Sequence, residues 1–296
     1  MKIACYYPVK KHERAKLALD SFISNPVFKK DKIVIEQIED DFKMIKDADL
    51  CVIITWKKLQ RQIAMACNSR KIPIVAIFNP PIRRPDYTIP CIEYFGVFWN
   101  RPYGGILVDN KLSNKRWKRL RKAYNIRIKP WRKKGDDILI VHQPYPNFWG
   151  NRRRDFFQEA VEASFKTGRK IKFCLRPDRG GNYLSDEVRE RWKSMNCEIV
   201  YGIQDNMDNI YCAITAGGTS GSKLIFNGVP TFSNDESLIR PLMTTDNLDE
   251  FLENPQMPVR EKWFNWAAYQ QWTSEEMAKG LTWDYLKKIK DQVVRR

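Results

Sequence analysis

Short apolar segments alternate with amphipathic segments along this chain, and the alternation occurs twice. In the first half, the apolar runs DLCVIITW (49–56) and IPIVAIFNPP (72–81) flank KLQRQIAMACNSRK (58–71), whose apolar residues recur at helical spacing. Strands that are apolar throughout are typical of a parallel sheet covered by helices on both faces. Residues 1–134 therefore predict one Rossmann-like domain.

The same alternation starts again after a basic, tryptophan-containing stretch. The segments DILIVHQP (137–144), KIKFCLRP (170–177) and IYCAITA (210–216) are typical of strands, and amphipathic segments lie between them. Residues 135–273 therefore predict a second domain, and residues 274–296 predict a C-terminal helix that packs back on the first. The predicted fold class is α/β, with two Rossmann-like, doubly wound domains facing a cleft.

Polar loops follow four of the predicted strands in the second domain. Ligands of open α/β sheets bind beyond the carboxyl ends of the strands, so these loops predict a binding site. The loop AGGTSGS (216–222) combines hydroxyl groups with glycines that let backbone N–H groups approach a phosphate. The glycines could instead serve only a tight turn, and a hydrogen-bonded loop position is the favoured alternative for His142. The predicted donor-binding residues are His142, Gln143, Arg176, Asp178, Arg179, Gly217, Gly218, Thr219, Ser220 and Ser222.

The charge of the chain is strongly unbalanced. It has 52 Lys and Arg residues against 35 Asp and Glu residues, a formal net charge of +17. This excess favours a polyanionic partner, nucleic acid or an anionic membrane surface, over a merely basic surface. The basic residues between the two predicted domains are interleaved with Trp117 and Trp131, which could stack on bases or anchor the core. The predicted DNA-binding residues are Lys115, Arg116, Lys118, Arg119, Arg132, Lys133, Arg152 and Arg153.

Cysteine and histidine usage argues against a metal site. The chain has seven cysteines, an odd number without CxxC spacing, and most lie within or beside apolar runs. Only two histidines occur, so we predict no metal ligands. No apolar stretch approaches the ~18 residues of a membrane span. We therefore expect a monomeric, cytoplasmic protein without stable membrane insertion.

The stretch ITAGGTSGSKLIFNGVPTFSN (214–234) resembles the donor site of GT-B glycosyltransferases, where a strand, a small turn, a helix and a GxP strand bind the nucleotide-sugar. RPDR (176–179) resembles the RPHP-like loop of capsular-polysaccharide members, with Asp178 in place of histidine. The resemblance implies that the first domain binds the acceptor and the second a nucleotide-sugar, with a UDP-sugar expected. It implies no cofactor beyond this co-substrate, and the absence of a DxD motif favours a metal-independent reaction.

Longer tryptophan-containing strings carry a second resemblance. RWKRL (116–120), WRKKGDDILIVHQP (131–144) and WFNWAAYQQWTSEEMAKGLTWDYL (263–286) resemble phage-encoded proteins assigned as glycosyltransferases. That group is similar in outline to the phage enzymes that glycosylate hydroxymethylated bases in DNA. The resemblance implies double-stranded DNA with modified bases as the acceptor, in the cytoplasm of the host cell. Two alternatives stay open: transfer to a surface polysaccharide or lipid precursor, and non-catalytic binding of nucleic acid.

A mechanism follows from this resemblance. The acceptor hydroxyl attacks the anomeric carbon of the donor while a carboxylate of the first domain removes its proton. Arg176 and the turn 217–220 stabilise charge that develops on the departing diphosphate. Asp109, which follows a glycine-containing loop and an apolar run, is the first candidate for the base. The competing carboxylates are Asp40, Asp41 and Asp86.

Overall fold

The structure is a computed structural model, and it divides the chain into two units. The first comprises Met1–Tyr124 with Phe264–Arg296, and the second comprises Asn125–Trp263. Each boundary lies ten residues before the predicted one, and the C-terminal segment belongs to the first unit. The structure describes residues 1–8, 13–38, 47–54, 58–82, 94–99, 112–142, 152–175, 185–216, 219–233 and 237–294, with the backbone alone at 58, 152–155 and 290–294.

The first unit is built on a parallel sheet that two further strands extend through antiparallel pairings. Strands β1 to β4 are parallel to one another, and β5 runs antiparallel to β4. β5 was not among the predicted strands, although the aromatic residues of its run YFGVFW favour a strand. The elements are β1 (Lys2–Pro8), α1 (Glu13–Ile23), a 3-10 helix (Pro26–Phe28), β2 (Lys32–Ile38), β3 (Leu50–Ile54), α2 (Lys58–Ser69), β4 (Ile74–Phe78), β5 (Tyr94–Trp99) and α3 (Lys115–Ala123).

The second unit is a five-stranded sheet in which every pairing is parallel. Its strand order is β10-β9-β6-β7-β8. One face packs against α4, α5 and α7, and the other packs against α6, so the unit is doubly wound as predicted. The elements are β6 (Asp137–Val141), α4 (Arg152–Lys166), β7 (Lys170–Leu175), α5 (Asp186–Ser194), β8 (Cys197–Tyr201), β9 (Ile210–Thr215), α6 (Ser220–Phe226), β10 (Thr231–Ser233) and α7 (Leu248–Glu253), with 3-10 helices at Gln204–Asn206 and Arg240–Leu242.

The C-terminal segment completes the first unit. It contains most of α8 (Glu261–Tyr269), whose first three residues belong to the second unit, and it forms β11 (Gln271–Thr273), α9 (Ser274–Ala278) and α10 (Leu281–Val294). β11 pairs antiparallel with β5 and gives the sheet the order β11-β5-β4-β3-β1-β2. Trp283 of α10 packs edge-on against Phe28, with ring centroids 5.0 Å apart. The core of this unit therefore depends on residues from both ends of the chain.

A buried ion pair fastens α3 to the C-terminal segment. Arg116 donates from Nη1 and Nη2 to the Glu276 carboxylate at 2.9 and 2.7 Å, and both side chains are largely buried, 11% and 12% exposed. Arg116 also donates from Nε to the carbonyl oxygen of Ala268 at 2.9 Å and from Nη2 to that of Gln271. Its guanidinium lies 3.8 Å from the ring centroid of Trp272. Four of the five N–H groups of Arg116 are therefore used inside this unit.

This ion pair predicts a loss of stability in acid. Burial alone would raise the pKa of Glu276, but Arg116, helped by the Thr273 N–H and by Arg119, outweighs burial and lowers the pKa to about 2. A carboxylate with a depressed pKa stabilises the fold fully above its unfolded pKa of about 4.3, and this contribution is lost as the pH falls toward 2. Between pH 7 and pH 3 the free energy of unfolding is expected to drop by about 2 kcal/mol through this group. Urea unfolding of Glu276→Gln at both pH values checks this, since the variant should lack that part of the drop; an equal drop in both proteins would refute it.

Candidate functional site

The strand order of the second unit reverses between β6 and β9. β7 and β8 lie on one side of β6, whereas β9 and β10 lie on the other. In open α/β sheets such a reversal leaves a crevice beyond the carboxyl ends of the two central strands, and ligands bind there. The register pairs Val141 with Thr215, so His142 and Ala216 are the next residues on neighbouring strands. The predicted loops after β6 and β9 therefore begin at the same edge of the sheet.

The turn into α6 presents two hydroxyl groups at this edge. Thr219 is the residue before α6, and its side chain makes no capping hydrogen bond. Thr219 and Ser220 are both partly exposed, so a ligand can reach them. Ser222, in contrast, is only 2% exposed on the packed side of α6. Donor contact stays a prediction for all three residues, although the burial of Ser222 favours a packing role.

A third hydroxyl supports this edge of the sheet. Ser233, the last residue of β10, donates from Oγ to the carbonyl oxygen of Thr215 at 2.6 Å. The bond ties the end of β10 to the end of β9, just before the 216–222 turn. Ser233 was not among the predicted site residues, although its place at the end of an apolar run is the signal that identified the other strand ends.

The side chain of His142 is partly buried and packs against aromatic residues of the core. Its backbone N–H donates to the carbonyl oxygen of Cys174 at 3.0 Å. Its ring centroid lies 5.1 Å from that of Phe157 and 5.6 Å from that of Phe173. These contacts fit the alternative of a structural loop histidine, while a contact to the donor stays a prediction.

Most of the remaining predicted site residues lie outside the described residues. For Arg152 and Arg153 the structure gives the backbone, as the first residues of α4, without the side chains. Nothing structural is therefore added for the candidate bases or for the RPDR loop. The predicted residues outside the described ranges are Asp40, Asp41, Asp86, Asp109, Gln143, Arg176, Asp178, Arg179, Gly217 and Gly218.

The predicted DNA-binding residues divide into buried and exposed groups. Arg116 is committed to the Glu276 pair, and Arg132 is half-buried and donates from Nη1 to the carbonyl oxygen of Met207. Arg116 therefore has a structural role, and Arg132 makes one contact to the protein backbone, while DNA contact by either residue stays a prediction. Trp117 is likewise part of the core, stacked on Phe264 with ring centroids 4.8 Å apart. The exposed members, for which DNA contact stays a prediction, are Lys115, Lys118, Arg119 and Lys133.

Four of the six described thiols are too strongly buried to act as nucleophiles near neutral pH. Burial raises the pKa of Cys5, Cys174, Cys197 and Cys212 to about 12, so these groups stay protonated near neutral pH. Within the described ranges, no three His, Cys, Asp or Glu side chains come together as a possible metal site. In the same part of the chain, none of the helices has the length and apolar character needed to cross a bilayer.

Comparison with known proteins gives a structural likeness without a sequence match. No family model and no curated protein matches the chain. The KpsC β-Kdo 2,4-transferase of Thermosulfurimonas dismutans is 14% identical, with 91% of this chain and 90% of that one covered at a TM-score of 0.52. The KpsC β-Kdo 2,7-transferase of the same organism is 12% identical, with 97% and 100% covered, also at a TM-score of 0.52.

This likeness shows the fold. Both units are Rossmann-like and the chain has the α/β fold of GT-B glycosyltransferases, so the predicted fold class is confirmed in these respects. A UDP-GlcNAc 2-epimerase from Methanocaldococcus jannaschii is 14% identical over 97% of this chain and 100% of that one, but its TM-score is only 0.30. That value is too low for a shared function to be argued from it.

Proposed function

We propose that this chain is a glycosyltransferase that moves a sugar from a nucleotide-sugar donor to an acceptor. The observation that carries the proposal is the GT-B fold, which the chain shares over about nine-tenths of its length with two proteins named as Kdo transferases. Because a fold alone does not determine chemistry, the proposal depends further on the site at the switch point of the second unit.

The donor in this proposal binds at the carboxyl edge of β6 and β9. Thr219 and Ser220 donate hydrogen bonds to its phosphates, and the glycines before them let the backbone approach closely. Arg176, which follows strand β7 in the sequence, pairs in this proposal with the same diphosphate, because a guanidinium matches phosphate geometry. UDP-sugars are the first donors to test, and no cofactor is required.

A donor-binding assay tests this step. Nucleotide-sugars with uridine, cytidine, guanosine and thymidine bases are added singly, and the melting temperature is recorded. At least one is expected to raise it, and Thr219→Val with Ser220→Ala should weaken that donor roughly 10- to 100-fold, because two charge-assisted hydrogen bonds are lost. Ser194→Ala, at an exposed serine of the same unit, is the matched control and should bind like the wild type. If no donor raises the melting temperature, the donor site is refuted.

Two acceptors follow from two different observations. The net charge of +17 favours double-stranded DNA, in which a hydroxymethylated base offers the attacking hydroxyl. The likeness to two Kdo transferases favours a surface polysaccharide or its lipid precursor at least as well.

With either acceptor we propose Asp109 as the base, with Asp40, Asp41 and Asp86 as competitors. Asp109→Asn is expected to abolish transfer while donor binding persists.

A further inference from the structure

Helix α3 separates its charged and apolar residues onto opposite sides. Trp117 and Leu120 are buried, and so is Tyr124, the residue that follows the helix. Lys115, Lys118 and Lys122 are exposed. Their spacing of three and four residues places the three lysines in one row along the helix, about 4.5 and 6 Å apart in rise. We call this row the α3 lysine face.

The charge of the α3 lysine face is not neutralised by neighbouring acids. Within the described part of the chain none of its three lysines forms an ion pair, whereas the neighbouring Arg116 and Arg119 share Glu276. The sequence has no Asp or Glu residue from position 110 to position 135. The face therefore keeps a positive potential available to a partner.

The α3 lysine face has no exposed aromatic or apolar side chain, and this restricts the class of partner that it can bind. All the apolar and aromatic residues at positions 115–122 are buried, so this face offers neither a platform for stacked bases nor an apolar wedge for a bilayer. A sugar chain would likewise find no exposed aromatic ring to pack against. What the face matches is a regular row of closely spaced negative charges, which the backbone of duplex DNA presents at one charge per about 1.7 Å.

We propose that the α3 lysine face docks the phosphate backbone of double-stranded nucleic acid, independently of its bases. The inference deepens the proposed function and rests on it in one respect, namely that the docked duplex is the acceptor. Because the contacts go to phosphates, affinity is the same for plain and hydroxymethylated duplexes. Selection of the modified base then takes place at the transfer step and not in docking.

The test measures binding without any nucleotide-sugar, so it does not depend on turnover. A labelled 20-base-pair duplex is titrated with the wild type and with a triple variant, Lys115→Gln, Lys118→Gln and Lys122→Gln, by fluorescence anisotropy. The variant is expected to bind roughly 10- to 100-fold more weakly near 0.1 M salt, and its salt slope should fall by about 3. The matched control changes Lys16, Lys29 and Lys30 to Gln, three exposed lysines of the same unit, and should stay within about twofold of the wild type.

Each further outcome supports or overturns the inference. Equal loss in the triple variant and the control, with both variants retaining the wild-type melting temperature, would overturn it. Stronger binding to a sulfated polysaccharide or to phosphatidylserine vesicles than to duplex at equal charge would assign the face to those partners instead. A more than threefold preference for hydroxymethylated duplex would also contradict it. If the triple variant loses binding but no sugar is transferred to any duplex, the result supports docking by the α3 lysine face and refutes DNA as the acceptor.

Discussion

Replacing Arg116 by methionine is expected to lower the free energy of unfolding by about 3–5 kcal/mol. The change removes the principal partner of the buried Glu276 carboxylate and leaves it, among the described residues, the half-exposed Arg119 and the Thr273 N–H. The carbonyl oxygens of Ala268 and Gln271 lose a hydrogen-bond donor as well. Urea unfolding at pH 7 measures the effect.

The matched control for this prediction is Arg119→Met. Arg119 pairs with the same carboxylate, but its side chain is 56% exposed, so screening by water makes the pair worth less than about 1 kcal/mol. Arg116→Met is expected to be clearly less stable than Arg119→Met. Similar losses in both, or a loss below about 1 kcal/mol for Arg116→Met, would mean that the buried pair does not hold α3 in place.

Replacing Gly228 by alanine is expected to destabilise the second unit by about 3–5 kcal/mol. Gly228 has φ +71°, and an added Cβ would lie 1.8 Å from the carbonyl oxygen of Pro130. The neighbouring backbone cannot move away easily, because the Gly228 carbonyl accepts a hydrogen bond from the Arg132 N–H at 2.7 Å. Thermal or urea unfolding reports the loss.

Gly168→Ala separates the two causes of that loss, which are backbone strain at a positive φ and the clash of an added Cβ with Pro130. Gly168 has φ +73°, but no atom lies within 4 Å of an added Cβ there. This control should therefore show only the backbone strain of about 1–2 kcal/mol. If Gly228→Ala cost no more than Gly168→Ala, close approach to Pro130 would not constrain the NGVP turn.

The sequence predicts the central strands of both sheets because each is a continuous apolar run, a pattern that can be recognised from neighbouring residues alone. β6, β7 and β9 are apolar runs bounded by helical patterns, and each lies within its predicted segment. β11 was not predicted because it has three residues and depends on pairing with β5, whose residues lie 175 to 179 positions earlier in the chain. A short strand of this kind is determined by tertiary contacts and not by its own residues.

Charge patterning predicts a basic surface but cannot distinguish its buried members. Arg116 and Lys115 are neighbours of the same charge type, yet one is enclosed by Glu276 and Trp272 and the other is exposed. The partner of Arg116 lies 160 positions away, a separation that no local pattern reveals. At the carboxyl end of β9, in contrast, glycine and hydroxyl residues after a strand are a local signal, and this signal predicts donor contact by Thr219 and Ser220.

The most direct test of glycosyl transfer is a mass measurement on the acceptor. The chain is incubated with the donor that raises its melting temperature, together with hydroxymethylated DNA, plain DNA or a surface polysaccharide. The account predicts that one acceptor gains the mass of one sugar per nucleotide released, and that Asp109→Asn abolishes this gain. Donor that is only epimerised or hydrolysed, with no acceptor gaining mass, would contradict the assignment as a glycosyltransferase.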